Sequence, residues 1–559
     1  MSVINDHGHT ERTPLLINAT APIPPSNPQS PLSPKDSTDE EARNAPTALS
    51  TSSNKHAGSK SIGKIVLVLL IGVFISNADG SLMMATHPIV ASEFDALHDS
   101  SWLLTSFGLA QSATQPLYGK LSDIYGRKSL LIVAYTLFAV GCVFVGVGTS
   151  MSHVIIGRVI SGLGSSGMTA LVSILITDLV PLREIAAWRS YVNVVATTGR
   201  SIGGPLGGWL ADTVGWRWSF TGQAPLAGIA IILIAITVPP RTTSTNDATT
   251  RSKLARIDFL GAILMALTIL GFLIPLEIGG DRLPWSHPII FALFGAAFVF
   301  GILFLATEAR FAKEPIIPLK LLRQKEMAVS LFIMITQAAA QVGLMMAIPI
   351  YFQATTSASN TEAGAHLIPA VVGNAIGGIL SGIVIKRTGR YKLLTLSALL
   401  FACIGYTLLI VRWHGNTNLF ESLYIFPGGF GMGVTISTLF VGVQASIDPA
   451  HSAVAASTLY LSNSVGMLMG MAGTSAVLQG TLRKVLERRL GEAGIEGWKR
   501  IKIIERAVSD VHYSDHAKRP IPGVVVSSYI EALTYSHFVS LACSLAAFTG
   551  TIFLKEHKL

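Results

Sequence analysis

Charged residues are scarce in this sequence of 559 residues, since only 13% are Asp, Glu, Lys or Arg while 50% are hydrophobic. A soluble protein of ordinary composition has about 25% charged residues. The sequence also has only three cysteines, and all three lie within apolar stretches, which argues against a framework of disulfide bonds. The composition therefore indicates a chain that is surrounded mostly by lipid.

The sequence also lacks the motifs of several common enzyme classes. It contains no Walker loop, no HExxH pattern and no nucleophile elbow. Three glycines, Gly162, Gly164 and Gly167, spell the dinucleotide-binding pattern GxGxxG, but no strand precedes them and they lie in an apolar run. We therefore expect no enzyme activity, no cofactor and no metal site. Any transport by this chain must then be driven by an ion gradient made elsewhere.

Apolar runs of about 20 residues recur from residue 64 onward, and a helix of that length crosses the bilayer core of about 30 Å. Fourteen such runs predict an all-α integral membrane protein with about fourteen transmembrane helices. The predicted divisions are a disordered cytosolic arm at 1–60, a first helical half at 61–240, two linking helices at 241–325, a second helical half at 326–481, a lumenal loop at 482–530, and a last helix with a cytosolic tail at 531–559. Within the lumenal loop, the pattern at 482–506 predicts an amphipathic helix.

Basic residues are distributed unevenly between the predicted loops. Loops on one face hold eighteen Lys and Arg residues, Arg189 among them, whereas short loops on the other face hold three. Cytoplasmic loops of membrane proteins carry this excess of positive charge, so both termini are predicted to lie in the cytosol. The same pattern explains the net charge of +9 without nucleic acid as a partner.

The polar N-terminal arm contains one short pattern of interest. Glu11 precedes the pair Leu15 and Leu16 by four residues, which is typical of an acidic dileucine sorting signal read by an adaptor complex. The alternative is a chance match in a disordered tail.

Two similar basic turns stand at equivalent places in the two halves. Residues 119–128 read GKLSDIYGRK, and residues 382–392 read GIVIKRTGRYK. The first resembles the signature of the major facilitator superfamily between its second and third helices, and the second resembles a degenerate copy. This resemblance implies a fold of two related six-helix halves plus two linking helices. It also implies that Asp123 and Arg127, beside Gly126, form a cytoplasmic gate latch.

Further motifs resemble the fourteen-helix drug:proton antiporter branch of that superfamily. Residues 158–164 (RVISGLG) are similar to the fourth-helix motif, and residues 203–208 (GGPLGG), with Gly204 and Pro205, are similar to the fifth-helix antiporter motif. Arg200 departs from that motif, which usually has glycine at this position. A flexible point of close packing in the fifth helix is one reading of the glycines, and a static helix contact is the other.

Two further stretches make the resemblance specific to one group of transporters within the superfamily. Residues 78–88 (ADGSLMMATHP) and 199–205 (GRSIGGP) look like the fungal vacuolar transporters of basic amino acids. The resemblance implies uptake of Lys, Arg and His across the vacuolar membrane in exchange for protons. The alternatives are a plasma-membrane exporter of drugs or toxic cations, and a nutrient receptor that does not transport.

Asp79 lies midway along the first predicted span, where a charged group is expensive and therefore indicates function. Because burial favours the neutral form of a carboxyl group, Asp79 is a candidate for binding either a proton or a cationic substrate. His87, two helical turns further on, is a second candidate because histidine changes its charge near neutral pH. The alternatives are a structural Asp79 and a hydrated, structural His87.

Two arginines lie within predicted spans. The resemblance implies that Arg158 couples proton movement to conformation, whereas a permanent contact with backbone carbonyls is the alternative. Arg200 fits a substrate that carries a carboxylate as well as a cation, as an amino acid does. We therefore expect Asp79 to bind the side-chain ammonium of the substrate and an arginine to bind its α-carboxylate, although a structural Arg200 is the alternative.

Overall fold

The computed structural model of the chain describes residues 59–96, 99–239, 258–279, 283–311, 315–418, 420–509, 511, 513, 521–557 and 559. The predicted disordered arm and its sorting signal at Glu11, Leu15 and Leu16 lie outside these residues. The described residues are helical and form no β-strand.

Long helices follow one another along the chain. The first half contains α1 (Ser59–Glu93), α2 (Trp102–Tyr125), α3 (Arg127–Gly146), α4 (Met151–Leu179), α5 (Leu182–Thr213), α6 (Trp216–Thr221) and α7 (Gln223–Thr237). The linking helices are α8 (Phe259–Ile278) and α9 (Pro288–Arg310), followed by the short α10 (Leu319–Leu322). The second half contains α11 (Lys325–Thr356), α12 (Asn360–Ala365), α13 (Ile368–Thr388), α14 (Lys392–Arg412), α15 (Phe426–Ser446), α16 (Ser452–Glu492), α17 (Gly497–Ser509) and α18 (Ile521–Ile552).

Twelve helical stretches of the described residues are long and apolar enough to cross a membrane. This confirms an all-α, multi-pass membrane protein. Helices α2 and α5 have 24 and 32 residues but are not among the twelve. Both carry charged or amide side chains along their length, such as Gln111 and Gln115 in α2 and Arg189 and Arg200 in α5. The total of fourteen spans stays a prediction.

The helices are arranged as two halves with a linking hairpin. Helices α1–α7 pack on one another, as do α11, α13–α16 and α18, and the halves meet where α5 contacts α13 and α2 contacts α16. The hairpin of α8 and α9 lies beside α2 and α16. One end of the bundle carries the turn at Gly126, whose φ of 87° favours glycine, and we call it the signature face.

The segment predicted as a lumenal loop, 482–530, is largely helical in its described residues. Helix α16 continues without interruption to Glu492, and α17 and the first turns of α18 occupy most of the remaining described residues. The reason is an apolar stripe at Leu482, Leu486 and Leu490 that extends the helix and packs with Ile503 of α17. These elements lie beyond the membrane-spanning part of α16, on the face opposite the signature face.

Candidate functional site

A fully buried ion pair lies inside the first half. Arg158 Nη1 donates to Asp79 Oδ2 at 2.6 Å, and the two side chains are 1% and 0% exposed. The pair joins α1 to α4. The side-chain amide of Gln223, at the start of α7, donates to the other carboxylate oxygen of Asp79 at 3.3 Å. Three helices therefore converge on one carboxylate.

The remaining contacts of Arg158 fix its position without a second acid. Its Nε donates to the carbonyl oxygen of Leu103 at 3.0 Å, and its guanidinium lies 4.4 Å from the ring centroid of Phe107. Its Nη2 and the Oε1 of Gln223 have no partner among the described residues. The charge of Asp79 is therefore the only counterion of Arg158 among the described residues, and it joins α1 to α4.

His87 lies two turns beyond Asp79 on α1 and is half-buried. No hydrogen-bond partner of its Nδ1 stands among the described residues. The structure does not bring it to the Asp79–Arg158 pair. The described residues of the chain contain no group of three or more His, Cys, Asp and Glu side chains that could hold a metal ion.

Arg200 lies apart from the buried pair. Its side chain is exposed, whereas Asp79 and Arg158 are not. On α5, Asn193 and Thr197 face the second half, because both contact the Oδ1 of Asn374 of α13, at 2.7 and 3.4 Å. Helical periodicity places Arg200 on this same face, one turn further from the signature face.

The antiporter motif lies where α5 packs closely on α1. A Cβ atom at Gly203 would stand 2.5 Å from the carbonyl oxygen of Ala78, and one at Gly207 would stand 2.8 Å from the Leu82 side chain. Gly204 faces Ser81 with more space, and Pro205 is exposed. The motif therefore brings the helix that carries Arg200 against the helix that carries Asp79.

The signature turn contains a bridged arginine. Arg127, the first residue of α3, donates to Asp123 of α2 at 2.5 Å and to Asp178 of α4 at 3.0 Å. Its side chain is 11% exposed. The contacts join three helices of the same half.

A family model described as the Major Facilitator Superfamily matches residues 69–471. The chain belongs to this superfamily. It is therefore a membrane transporter and not an enzyme.

Two curated relatives from Schizosaccharomyces pombe cover nearly all of the major facilitator fold of this chain. The vacuolar membrane amino acid uptake transporter fnx2 is 28% identical over 92% of this chain and 88% of the relative. The multidrug resistance protein fnx1 is 28% identical over 88% of this chain and 92% of the relative. The chain therefore has the same sequence identity to a protein named as an amino acid transporter and to one named as a multidrug resistance protein.

Solved structures of major facilitators share the fold. The proton:xylose symporter XylE superposes with a TM-score of 0.56 at 16% identity and covers 89% of this chain and 97% of its own. The human organic anion transporter MFSD10 gives a TM-score of 0.52 at 13% identity and covers 86% and 99%.

Some contacts of the candidate site could not be found from the sequence. Gln223 is the first residue of α7 and carries no sequence signal of its own. Arg189 was counted among the loop residues, and that assignment is wrong, because it lies in the third turn of α5 and is 5% exposed. The positions of Asp178 and Glu277 near the ends of apolar runs predict solvated side chains, but Asp178 contacts Arg127 and Glu277 accepts a hydrogen bond from Thr105 at 2.6 Å.

Because Arg127 contacts two carboxylates, we expect the loss of either one to lower stability only modestly. Replacing Asp123 or Asp178 by Asn removes one of two carboxylates, so each is expected to lower the free energy of unfolding by about 1 kcal/mol or less, since both are partly exposed. Arg127→Gln removes both contacts and should cost more than either. Unfolding midpoints in detergent measure this, with Asp212→Asn at an exposed position of α5 as the control. A single Asp variant as unstable as Arg127→Gln would contradict the bridge.

Proposed function

We propose that the protein is a secondary active transporter that moves the basic amino acids Lys, Arg and His into the vacuole in exchange for protons. The observation that carries the proposal is the ion pair of Asp79 and Arg158, fully buried in the first half of a transporter. A charged side chain at membrane depth is costly and therefore indicates a function. A carboxylate that binds either a proton or a cationic substrate is the simplest physical basis for exchange.

Proton binding at Asp79 has a structural consequence in this proposal. A neutral Asp79 frees Arg158, and the contact between α1 and α4 loosens. Because α5 packs on α1 at Gly203, movement of α1 reaches the face of α5 that meets the second half. Alternating access would then follow from proton binding by motion of one half against the other.

Recognition of the substrate is assigned to a second place. The exposed guanidinium of Arg200 is suited to the α-carboxylate of an amino acid, because arginine binds carboxylates through two parallel hydrogen bonds. The side-chain ammonium would bind Asp79 after its carboxyl group has released the proton. His87, which lies towards the opposite face, is a second candidate for proton binding. The name of fnx2 supports an amino acid as substrate and the vacuolar membrane as location.

A direct experiment tests the proposal. Vacuolar membrane vesicles that contain or lack the protein are energised with a proton gradient and offered labelled Lys, Arg and His. We expect uptake only with the protein, and its loss on addition of a protonophore. Equal uptake by both preparations would refute the proposal.

A multidrug or toxic-cation exporter of the plasma membrane is the second candidate. It is favoured by the equal similarity to fnx1 and by the antiporter motif at 203–208. Export of a cationic dye by cells that carry the protein, without amino acid uptake by vesicles, would favour this candidate.

Replacing Arg200 by Ala separates the two functions. The variant should weaken the uptake of lysine by roughly 10-fold or more, because a charge-assisted hydrogen bond contributes about 1.5–3 kcal/mol. Cadaverine, a diamine without a carboxylate, should be affected much less. Competition of lysine and cadaverine against labelled lysine measures this, and an equal loss for both would contradict the role of Arg200.

A further inference from the structure

Arg189 is a buried cation that lies between the two halves. Its Nη1 donates to the hydroxyl of Ser173 of α4 at 2.6 Å and to the hydroxyl of Tyr460 of α16 at 3.1 Å. The hydroxyls of Ser173 and Tyr460 are also hydrogen-bonded to each other. One partner thus belongs to each half.

Aromatic rings of the second half complete the surroundings of this guanidinium. Its carbon lies 3.7 Å from the ring centroid of Phe440 of α15 and 5.4 Å from that of Tyr460. A desolvated cation is attracted to the face of an aromatic ring. Two helices of each half therefore meet at one arginine, near the signature face.

The described residues place no carboxylate on Arg189, and its Nε has no hydrogen-bond partner among them. A charge that is removed from water without a counterion is costly unless other groups replace the water. Here most of those groups come from the second half. When the halves separate at the signature face, Arg189 keeps Ser173 and loses both rings and the Tyr460 hydroxyl.

Arg189 and Arg200 lie eleven residues apart on α5, which is three helical turns and about 16 Å. Between them, Asn193 and Thr197 contact the second half, so both arginines lie on the face that is turned toward it. In this structure Arg200 is exposed and Arg189 is covered. Opening at the signature face would uncover the second arginine on the same surface.

We propose that Arg189 is a carboxylate-binding subsite at the signature face, which the rings of Phe440 and Tyr460 occupy while the halves are closed there. The inference deepens the proposed function and rests on it for the identity of the substrate. A freed guanidinium repels the ammonium groups of a basic amino acid and attracts its α-carboxylate, so the charge selects an amino acid over a simple diamine. Arg189 would then take part both in substrate binding and in the separation of the two halves at the signature face.

Separation of the two halves at the signature face can be measured without transport. The reporter is Ser457→Cys on α16, a fully buried position at the contact with Gly119 of α2, in a background with Cys142, Cys403 and Cys543 replaced by Ala. A water-soluble maleimide is applied from the signature face to the whole protein in proteoliposomes. We expect Arg189→Gln and Phe440→Leu to speed labelling severalfold. Arg310→Gln, the same change at an exposed arginine in the last turn of α9, should leave the rate unchanged.

Carboxylate binding is measured with the same reporter. Lysine and lysinamide, which lacks the carboxylate, are titrated for their effect on the labelling rate, and the ratio of their half-effective concentrations is compared. We expect Arg189→Gln to lower this preference for lysine by roughly 10-fold. Phe440→Leu and Arg310→Gln should retain it, which separates carboxylate binding by Arg189 from closure of the two halves.

The outcomes distinguish the inference from the proposed function. Labelling of Arg189→Gln at the rate of the unchanged protein would overturn the inference, and so would an unchanged preference for lysine. If vesicles take up no amino acid but labelling responds as expected, the proposed function fails and the carboxylate subsite stands.

Discussion

Replacing Asp79 by Asn is expected to abolish proton-coupled exchange and to destabilise the protein. The amide cannot take up a proton in place of a cation, so coupling is lost. It also leaves Arg158, which is 0% exposed, without a counterion. Breaking a buried ion pair from one side costs about 3–5 kcal/mol. Gradient-driven uptake by proteoliposomes and the unfolding midpoint in detergent measure the two effects.

A double variant separates stability from coupling at this pair. Arg158→Gln together with Asp79→Asn removes both charges, so much of the lost stability should return, because the uncompensated cation is gone. Exchange should remain absent. If Asp79→Asn alone retains exchange that responds to the proton gradient, the buried carboxylate is not the proton site and the mechanism proposed above is wrong.

Replacing Gly203 by Ala is expected to have the second large effect. The added Cβ would lie 2.5 Å from the carbonyl oxygen of Ala78 and 2.9 Å from the Cβ of Ser81. Neither backbone can yield without moving a helix, so α1 and α5 must separate. Overpacking of this kind costs about 1–3 kcal/mol. We expect a lower unfolding midpoint and a loss of transport, because the contact joins the helices of Asp79 and Arg200.

Gly208→Ala is the matched control for this variant. It makes the same chemical change five residues later on α5, where a Cβ would meet no atom within 4 Å. Stability and uptake should be close to those of the unchanged protein. Similar losses in both variants would show that helix α5 needs glycine for flexibility and not for close packing.

The sequence was sufficient for the fold class because lipid imposes a simple rule on length and composition. Runs such as the one in α9 are apolar throughout and could be recognised without context. Helices α2 and α5 show where that rule weakens, because helices between two halves carry polar groups such as Gln115 and Asn193. The pattern at 482–506 predicts an amphipathic helix, but it does not show that this helix continues α16, because the apolar stripe packs against α17 and not against lipid.

The candidate site was only partly predictable for a different reason. Asp79 and Arg158 could each be singled out as charges within apolar runs, but their separation of 79 positions along the chain hides that they form one pair. Gln223 has no distinguishing neighbours in the sequence. Arg189 follows a basic turn, and its burial arises from Phe440 and Tyr460, which lie more than 250 residues away along the chain. Tertiary contacts, and not local pattern, decide these assignments.

The 41 residues of α16 form a rod of about 60 Å, which is twice the thickness of the hydrocarbon core. The outer part of α16 packs against α17 and α18, and Glu531 of α18 forms ion pairs with Arg488 and Arg489. An antibody fragment bound to this three-helix extension would report the tilt of the second half, because α16 belongs to both. It would also give an otherwise featureless particle a fixed landmark for electron microscopy.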